Sequence, residues 1–139
     1  MDGRRVLVVG GESALGRALA VGLAEAGADV AIASLSPDTK AEFAINSALN
    51  ELWALGRRGL ALVIDASDAA QVRDAVARAE RELGRLDLAV AVVAPVRAAD
   101  ERATLAFDAL REALAGRPAV VLATDADAAE ALRQVRERF

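Results

Sequence analysis

Cysteine, histidine and tyrosine are all missing from the 139 residues, lysine occurs once, and tryptophan and phenylalanine together supply four aromatic rings. Without cysteine there is no disulfide framework and no thiolate site. With histidine also missing, the commonest zinc ligands are gone and a zinc enzyme is excluded. Excess positive charge is lacking too: the net charge is −4, and the arginines are scattered among acids, so nucleic acid is not an expected partner. Long apolar runs are absent at the start, where Met1-Asp2-Gly3-Arg4-Arg5 leads into four apolar residues before a glycine pair. That is too short for a signal h-region or a membrane span, and the expected location is the cytoplasm, away from membranes.

What is present is an apolar content of 55%, much of it alanine and valine, which suits helices packed on a buried sheet in a single domain, residues 1–139. Short β-branched runs alternate with segments of helical period. Val6-Leu7-Val8-Val9 ends at Gly10-Gly11, and Leu15, Leu19, Leu23 and Ala26 follow at helical spacing up to Gly27. A second run, Val30 to Ala33, precedes Ser36-Pro37-Asp38 as the cap region of a helix carrying Phe43, Leu49, Leu52 and Trp53. Leu60 to Ile64 is the third run, followed by Ser67 or Asp68 as cap and a helix with Val72, Val76, Ala79 and Leu83 on one face. Leu86 to Val93 is the fourth, with a helix from about Asp100 to Ala115. Ala119 to Ala123 is the fifth, with a last helix offering Ala128, Leu132, Val135 and Phe139.

Continuously apolar strands imply a sheet covered on both faces, and regular alternation implies right-handed crossovers and parallel pairing. The expected architecture is α/β, a three-layer, doubly wound, parallel five-stranded sheet of Rossmann-like type. Its ligand site belongs beyond the C-terminal ends of the strands, where the strand order reverses. A phosphoacceptor receiver domain shares the five-unit plan, but it needs an acidic pair after the first strand and a lysine after the fifth. Gly10-Gly11 and Thr124-Asp125 stand there instead.

Val9-Gly10-Gly11-Glu12-Ser13-Ala14-Leu15-Gly16 joins the first strand to the first helix, where backbone amides and the helix dipole hold a pyrophosphate in dinucleotide-binding folds. At this point the sequence resembles the short-chain dehydrogenase/reductase family, whose fingerprint T-G-x-x-x-G-x-G is matched by Gly10 as first glycine and Gly16 as last. The likeness continues through Gly27-Ala28-Asp29-Val30, Ala54-Leu55-Gly56-Arg57-Arg58-Gly59, Asp65-Ala66-Ser67-Asp68 and Glu82-Leu83-Gly84-Arg85-Leu86-Asp87. The resemblance implies strand order 3-2-1-4-5 and an NAD or NADP cofactor. By position it assigns Gly10, Gly11, Ser13, Ala14, Leu15 and Gly16 to the pyrophosphate, Ser34 and Leu35 to the adenosine ribose, Asp65 and Ala66 to adenine, and Ala94 to the nicotinamide ribose.

Three departures qualify that inheritance. Ala14 replaces the middle glycine, whose bare Cα lets phosphate approach the backbone. Ala91-Val92-Val93-Ala94 stands where the family has Asn-Asn-Ala-Gly. The family's catalytic tyrosine has no counterpart, and the one lysine, Lys40, enters the second helix instead. The chain is thus expected to be a degenerate or truncated member covering the cofactor-binding portion, with no catalytic residue and no metal. The rival expectation is an interaction or oligomerisation subunit that kept the scaffold without the cofactor, associating as a homo-oligomer or with a partner subunit through helices such as the last.

Several residues carry two readings. Ser34 and Ser36 are donors for a 2′-phosphate or plain turn and cap residues. Asp65 meets adenine or stabilises the next helix N-terminus. Glu12, a charge opposed to a polyanion, is read as solvated. Thr124-Asp125-Ala126-Asp127 reads as a strand-to-helix cap rather than a cation site. The four aromatic residues are read as core or interface packing rather than an adenine-stacking set.

Overall fold

Each apolar run forms a strand and each amphipathic segment a helix in the computed structural model, which describes residues 3–93, 101–123 and 126–138. The elements are β1 (Arg5–Val9), α1 (Ala14–Glu25), β2 (Asp29–Ala33), α2 (Thr39–Ala54), β3 (Gly59–Leu62), α3 (Ala69–Leu83), β4 (Leu88–Val93), α4 (Glu101–Leu114), β5 (Ala119–Ala123) and α5 (Ala128–Arg136). All strands pair in parallel in the order β3-β2-β1-β4-β5. This is the doubly wound Rossmann-like order expected above. β1 lies at the centre, with Val8 opposite Ile32 of β2 on one side and Val90 of β4 on the other.

Alternation along the strands divides the core into two layers. Val6, Val8, Val30, Ile32, Leu88 and Val90 face α1, α2 and α5, meeting Leu19, Leu23, Ile45, Leu52 and Val135. Leu7, Val9, Ala31, Ala33, Ala89 and Ala91 face α3 and α4, meeting Val72, Val76, Leu83, Leu110 and Leu114. Because both faces are covered, no strand position needs to be polar, which is why the sequence shows runs rather than alternation. The helices start on side-chain caps: Ser13 for α1, Asp38 for α2, Asp68 for α3 and Asp127 for α5 each accept a first-turn amide.

Four sequence expectations are corrected. The third strand ends at Leu62 rather than Ile64, because beyond it the Ser34 hydroxyl, not the β2 backbone, bonds both the amide and the carbonyl of Ile64. The fourth begins at Leu88 rather than Leu86, since the Leu86 amide turns to the Glu80 carboxylate and the Asp87 carboxylate takes the Arg5 amide. Phe43 and Trp53 do not lie on the buried stripe of α2, which is Ala41, Ile45, Ala48, Leu49 and Leu52; they are 77% and 57% exposed, so of the core-or-interface reading the core half is ruled out. Helical phase, not side-chain size, decides which face turns inward. Val135 of α5 is fully buried and Leu132 packs beside Gly22 of α1, so this face of the helix is consumed inside the fold. Phe139 lies outside the described residues.

Candidate site at the strand ends

The glycine turn sits at the C-terminal end of β1, on the side of the sheet mouth where β1 passes to β4 and the strand order reverses. Two approaches fix its residue types. Gly10 has φ +92°, and a Cβ there would stand 2.2 Å from the Val92 carbonyl oxygen of β4. A Cβ on Gly16 would stand 2.2 Å from the Gly10 carbonyl oxygen. The amides of Gly10 and Gly11 both donate to Ala33 O, at 2.8 and 3.1 Å, which moors the turn to the end of β2.

Ser13 closes the turn onto the helix. Its hydroxyl donates to Gly10 O at 3.0 Å and accepts from the Gly16 amide at 2.9 Å. The amides of Glu12, Ala14 and Leu15 have no hydrogen-bond acceptor among the described residues. Such unpaired donors at the positive end of a helix dipole form an anion site. Ala14 is exposed, and its methyl borders the groove between α1 and α5 with Arg17, Ala18 and Ala129.

The ends of β2 and β3 form the adjoining rim. Ser34 is fully buried, and its hydroxyl is committed to Ile64, donating to the carbonyl at 3.1 Å and accepting from the amide at 3.0 Å. Leu35 is partly buried. Its carbonyl accepts from the Ala66 amide at 2.9 Å, and Ala66 itself is buried. Asp65 uses Oδ1 to accept from the Ser67 amide at 2.9 Å and from the Ser67 hydroxyl, while its own amide donates to Gln71 of α3. Asp65 therefore shapes the entry to α3. Ser36 donates to Asp38 at 2.8 Å. The Asp38 carboxyl is held below the usual carboxylate range by the Ala41 amide first and the Ser36 hydroxyl second.

The structure thus brings Gly10, Gly11, Ser13, Ala14, Leu15 and Gly16 into one turn, with Ser34, Leu35, Asp65 and Ala66 along the neighbouring strand ends. Ala94 lies outside the described residues, as do Thr124 and Asp125; Asp127 caps α5 by accepting from the Glu130 amide at 2.9 Å. Sequence reasoning missed the role of Glu12. Its carboxylate is not turned to solvent: both oxygens accept from the Leu35 amide at 2.9 Å, and Oε2 also accepts from the Ser36 amide at 3.2 Å. No signal in the sequence marked it, because the Leu35 and Ser36 amides that it meets lie 23 and 24 residues along the chain. Among the described residues no cluster of three or more potential ligands suits a metal ion, and no helix is long and apolar enough to cross a membrane.

Residues 4–104 match the family model described as short chain dehydrogenase. Among curated proteins, an L-rhamnose 1-dehydrogenase (NAD(P)(+)) from Sphingomonas is 39% identical over 90 residues, which is 65% of this chain and 34% of the relative. A cyclohexanol dehydrogenase from Rhodococcus is 33% identical over 97 residues, with 36% of its length covered. Among solved structures, a short chain dehydrogenase from Burkholderia cenocepacia in complex with NADP is 34% identical, with TM-score 0.72 over 86% of this chain and 55% of that one. The chain spans about a third of the curated relatives it matches and about half of the solved chains.

Proposed function

The chain belongs to the short chain dehydrogenase family, and from that membership we propose that it is a cofactor-binding Rossmann domain that holds NAD or NADP at the mouth between β1, β2 and β4. The observation that carries this reading is the open N-terminus of α1. Among the described residues the Ala14 and Leu15 amides have no acceptor and so can donate to a pyrophosphate, while Ser13 takes the Gly16 amide. The donor set fits a polyanion, since the amides of Glu12, Ala14 and Leu15 have no acceptor among the described residues and lie at the N-terminus of α1, where added side chains at Gly10 and Gly16 would collide with backbone. On this reading the ribose would lie along Leu35, with Ser34 buried beneath it, and adenine beside Asp65 and Ala66.

The cofactor, when bound, supplies hydride exchange; this chain's own residues bind and orient it. General acid/base help from a tyrosine and lysine pair is not available within these residues, for there is no tyrosine and Lys40 is exposed in the first turn of α2. The reading is therefore one of binding without the family's catalytic step in this domain. Calorimetric titration with NAD and with NADP tests it: saturable heat with at least one is expected, and no heat with either at millimolar ligand overturns it.

A second reading, a scaffold used for association, draws on the exposure of Phe43 and Trp53 along α2. It predicts an oligomer by light scattering whose mass is unchanged by nucleotide, and loss of that oligomer on replacing both rings.

A further inference from the structure

One charged side chain in the mouth has no part in the binding reading so far. Glu12 leaves the glycine turn and crosses to the end of β2, where its carboxylate takes three hydrogen bonds from two backbone amides, those of Leu35 and Ser36, at 2.9 to 3.2 Å. The platform under it is rigid: the Leu35 carbonyl is bound by Ala66, and the Ser34 hydroxyl by Ile64. A negative charge is therefore fixed at the tip of the second strand.

In Rossmann folds the end of the second strand is where the adenosine ribose is read, by an acid for the free diol or by an arginine for a 2′-phosphate. Here the strand's own positions, Ser34 and Leu35, provide neither. We propose that Glu12, reaching over from the β1–α1 turn, is the acid that reads the ribose, and that it makes the domain select NAD over NADP. The inference rests on the cofactor-binding reading above.

The chemistry favours the diol on four counts. An ionised carboxylate has about four lone-pair sites, so acceptor capacity remains for a ribose hydroxyl beyond the three amide bonds. A 2′-phosphate brings up to two negative charges against the same carboxylate in a partly shielded site. The amides that would otherwise greet that phosphate, Leu35 and Ser36, are already taken. No arginine stands between residues 34 and 38, and the charge of Lys40 acts on Asp38.

The test is calorimetric titration of the chain with NAD and with NADP, for the native protein, Glu12→Gln and Glu12→Ala, with thermal melts of each. Glutamine keeps an oxygen for the strand-end amides but drops the charge, so a merely structural clasp survives it while a charge-based selection does not. The native protein is expected to bind NAD at least about tenfold more tightly than NADP. Glu12→Gln is expected to bring the two within roughly threefold of each other, chiefly by tightening NADP. Equal affinities in the native protein, or an undiminished NAD preference in a folded Glu12→Gln, overturn the inference while leaving cofactor binding intact. Binding of neither nucleotide overturns both. Should both variants melt below the titration temperature, the native ratio alone decides.

Discussion

Gly10 and Gly16 touch across the turn, the Cα of Gly16 lying so close to the Gly10 carbonyl that an added Cβ would fall 2.2 Å from its oxygen and 2.9 Å from its carbon. The first and last glycines of the motif are thus one packing unit. The strand ends, the chain turns, and the helix begins over the turn's own carbonyl, which also accepts the Ser13 hydroxyl.

Gly16→Ala must push backbone against backbone, since the obstructing atoms belong to Gly10 and Gly11 rather than to a flexible side chain. The expected cost is about 2–3 kcal/mol, a fall in melting temperature of roughly 5–15 °C. Nucleotide affinity is expected to drop further than the melt alone explains, because the α1 amides move with the turn. Differential scanning calorimetry alongside titration separates the two effects.

Ala14→Gly acts at an exposed first-turn position. The substitution sacrifices at most about 1 kcal/mol of helix propensity. By restoring a bare Cα at the family's middle-glycine position it should tighten NAD by about three- to tenfold. An unchanged dissociation constant would show that the methyl stands clear of the pyrophosphate.

At the opposite end of the sheet, Arg117 meets Glu80 at 2.8 Å and also donates to the Leu86 and Leu114 carbonyls at 2.6 and 2.7 Å. Burial alone would raise the Glu80 carboxyl. The Arg117 hydrogen bond, the Leu86 amide and the charges of Arg117 and Arg85 outweigh it and hold the group below its ordinary value of 4.5. A carboxyl depressed in the folded state stabilises fully above its unfolded pKa and loses that contribution as pH falls through the folded value. Glu80→Gln should cost about 1 kcal/mol at neutral pH and flatten the decline in melting temperature below about pH 4.5. Nucleotide affinity should not change, since this cluster lies at the N-terminal ends of β4 and β5.

Leu52 and Trp53 are neighbours in sequence with opposite fates, one fully buried and one 57% exposed. Leu52→Ala is expected to destabilise by about 2–4 kcal/mol through the cavity it leaves, and Trp53→Gln by no more than about 0.5 kcal/mol. Urea melts of the two variants check the assignment; a larger loss from the tryptophan would return it to the core.

Much of the fold was legible because strand and helix periods are local. Val6 to Val9, Val30 to Ala33 and Ala119 to Ala123 read as strands, and the glycines and capping residues between them marked the turns correctly, including Asp38 and Asp127 as caps. Where local pattern failed, long-range partners were responsible. Leu86 looked like strand, yet its amide is held by Glu80 six residues back and its carbonyl by Arg117, thirty-one residues ahead. Phe43 and Trp53 read with Leu49 and Leu52 as one apolar stripe packed in core or interface, but α2 turned its alanine, isoleucine and leucine face to the sheet and left both rings outside it.

By itself the sequence determined the five βα units, the two-sided burial of the sheet and the placing of a glycine turn at its mouth, because these follow from periodicity and from backbone sterics within a few residues. Tertiary structure alone decided what the polar groups at that mouth do. Ser34 became a bridge between strand ends, and Asp65 a turn former. Glu12, which reads along the chain as a charge beside phosphate, instead became the acceptor for amides 23 and 24 residues away. Hydrogen bonds of that kind join separate strands brought side by side by the sheet, and no local pattern in the chain announces them.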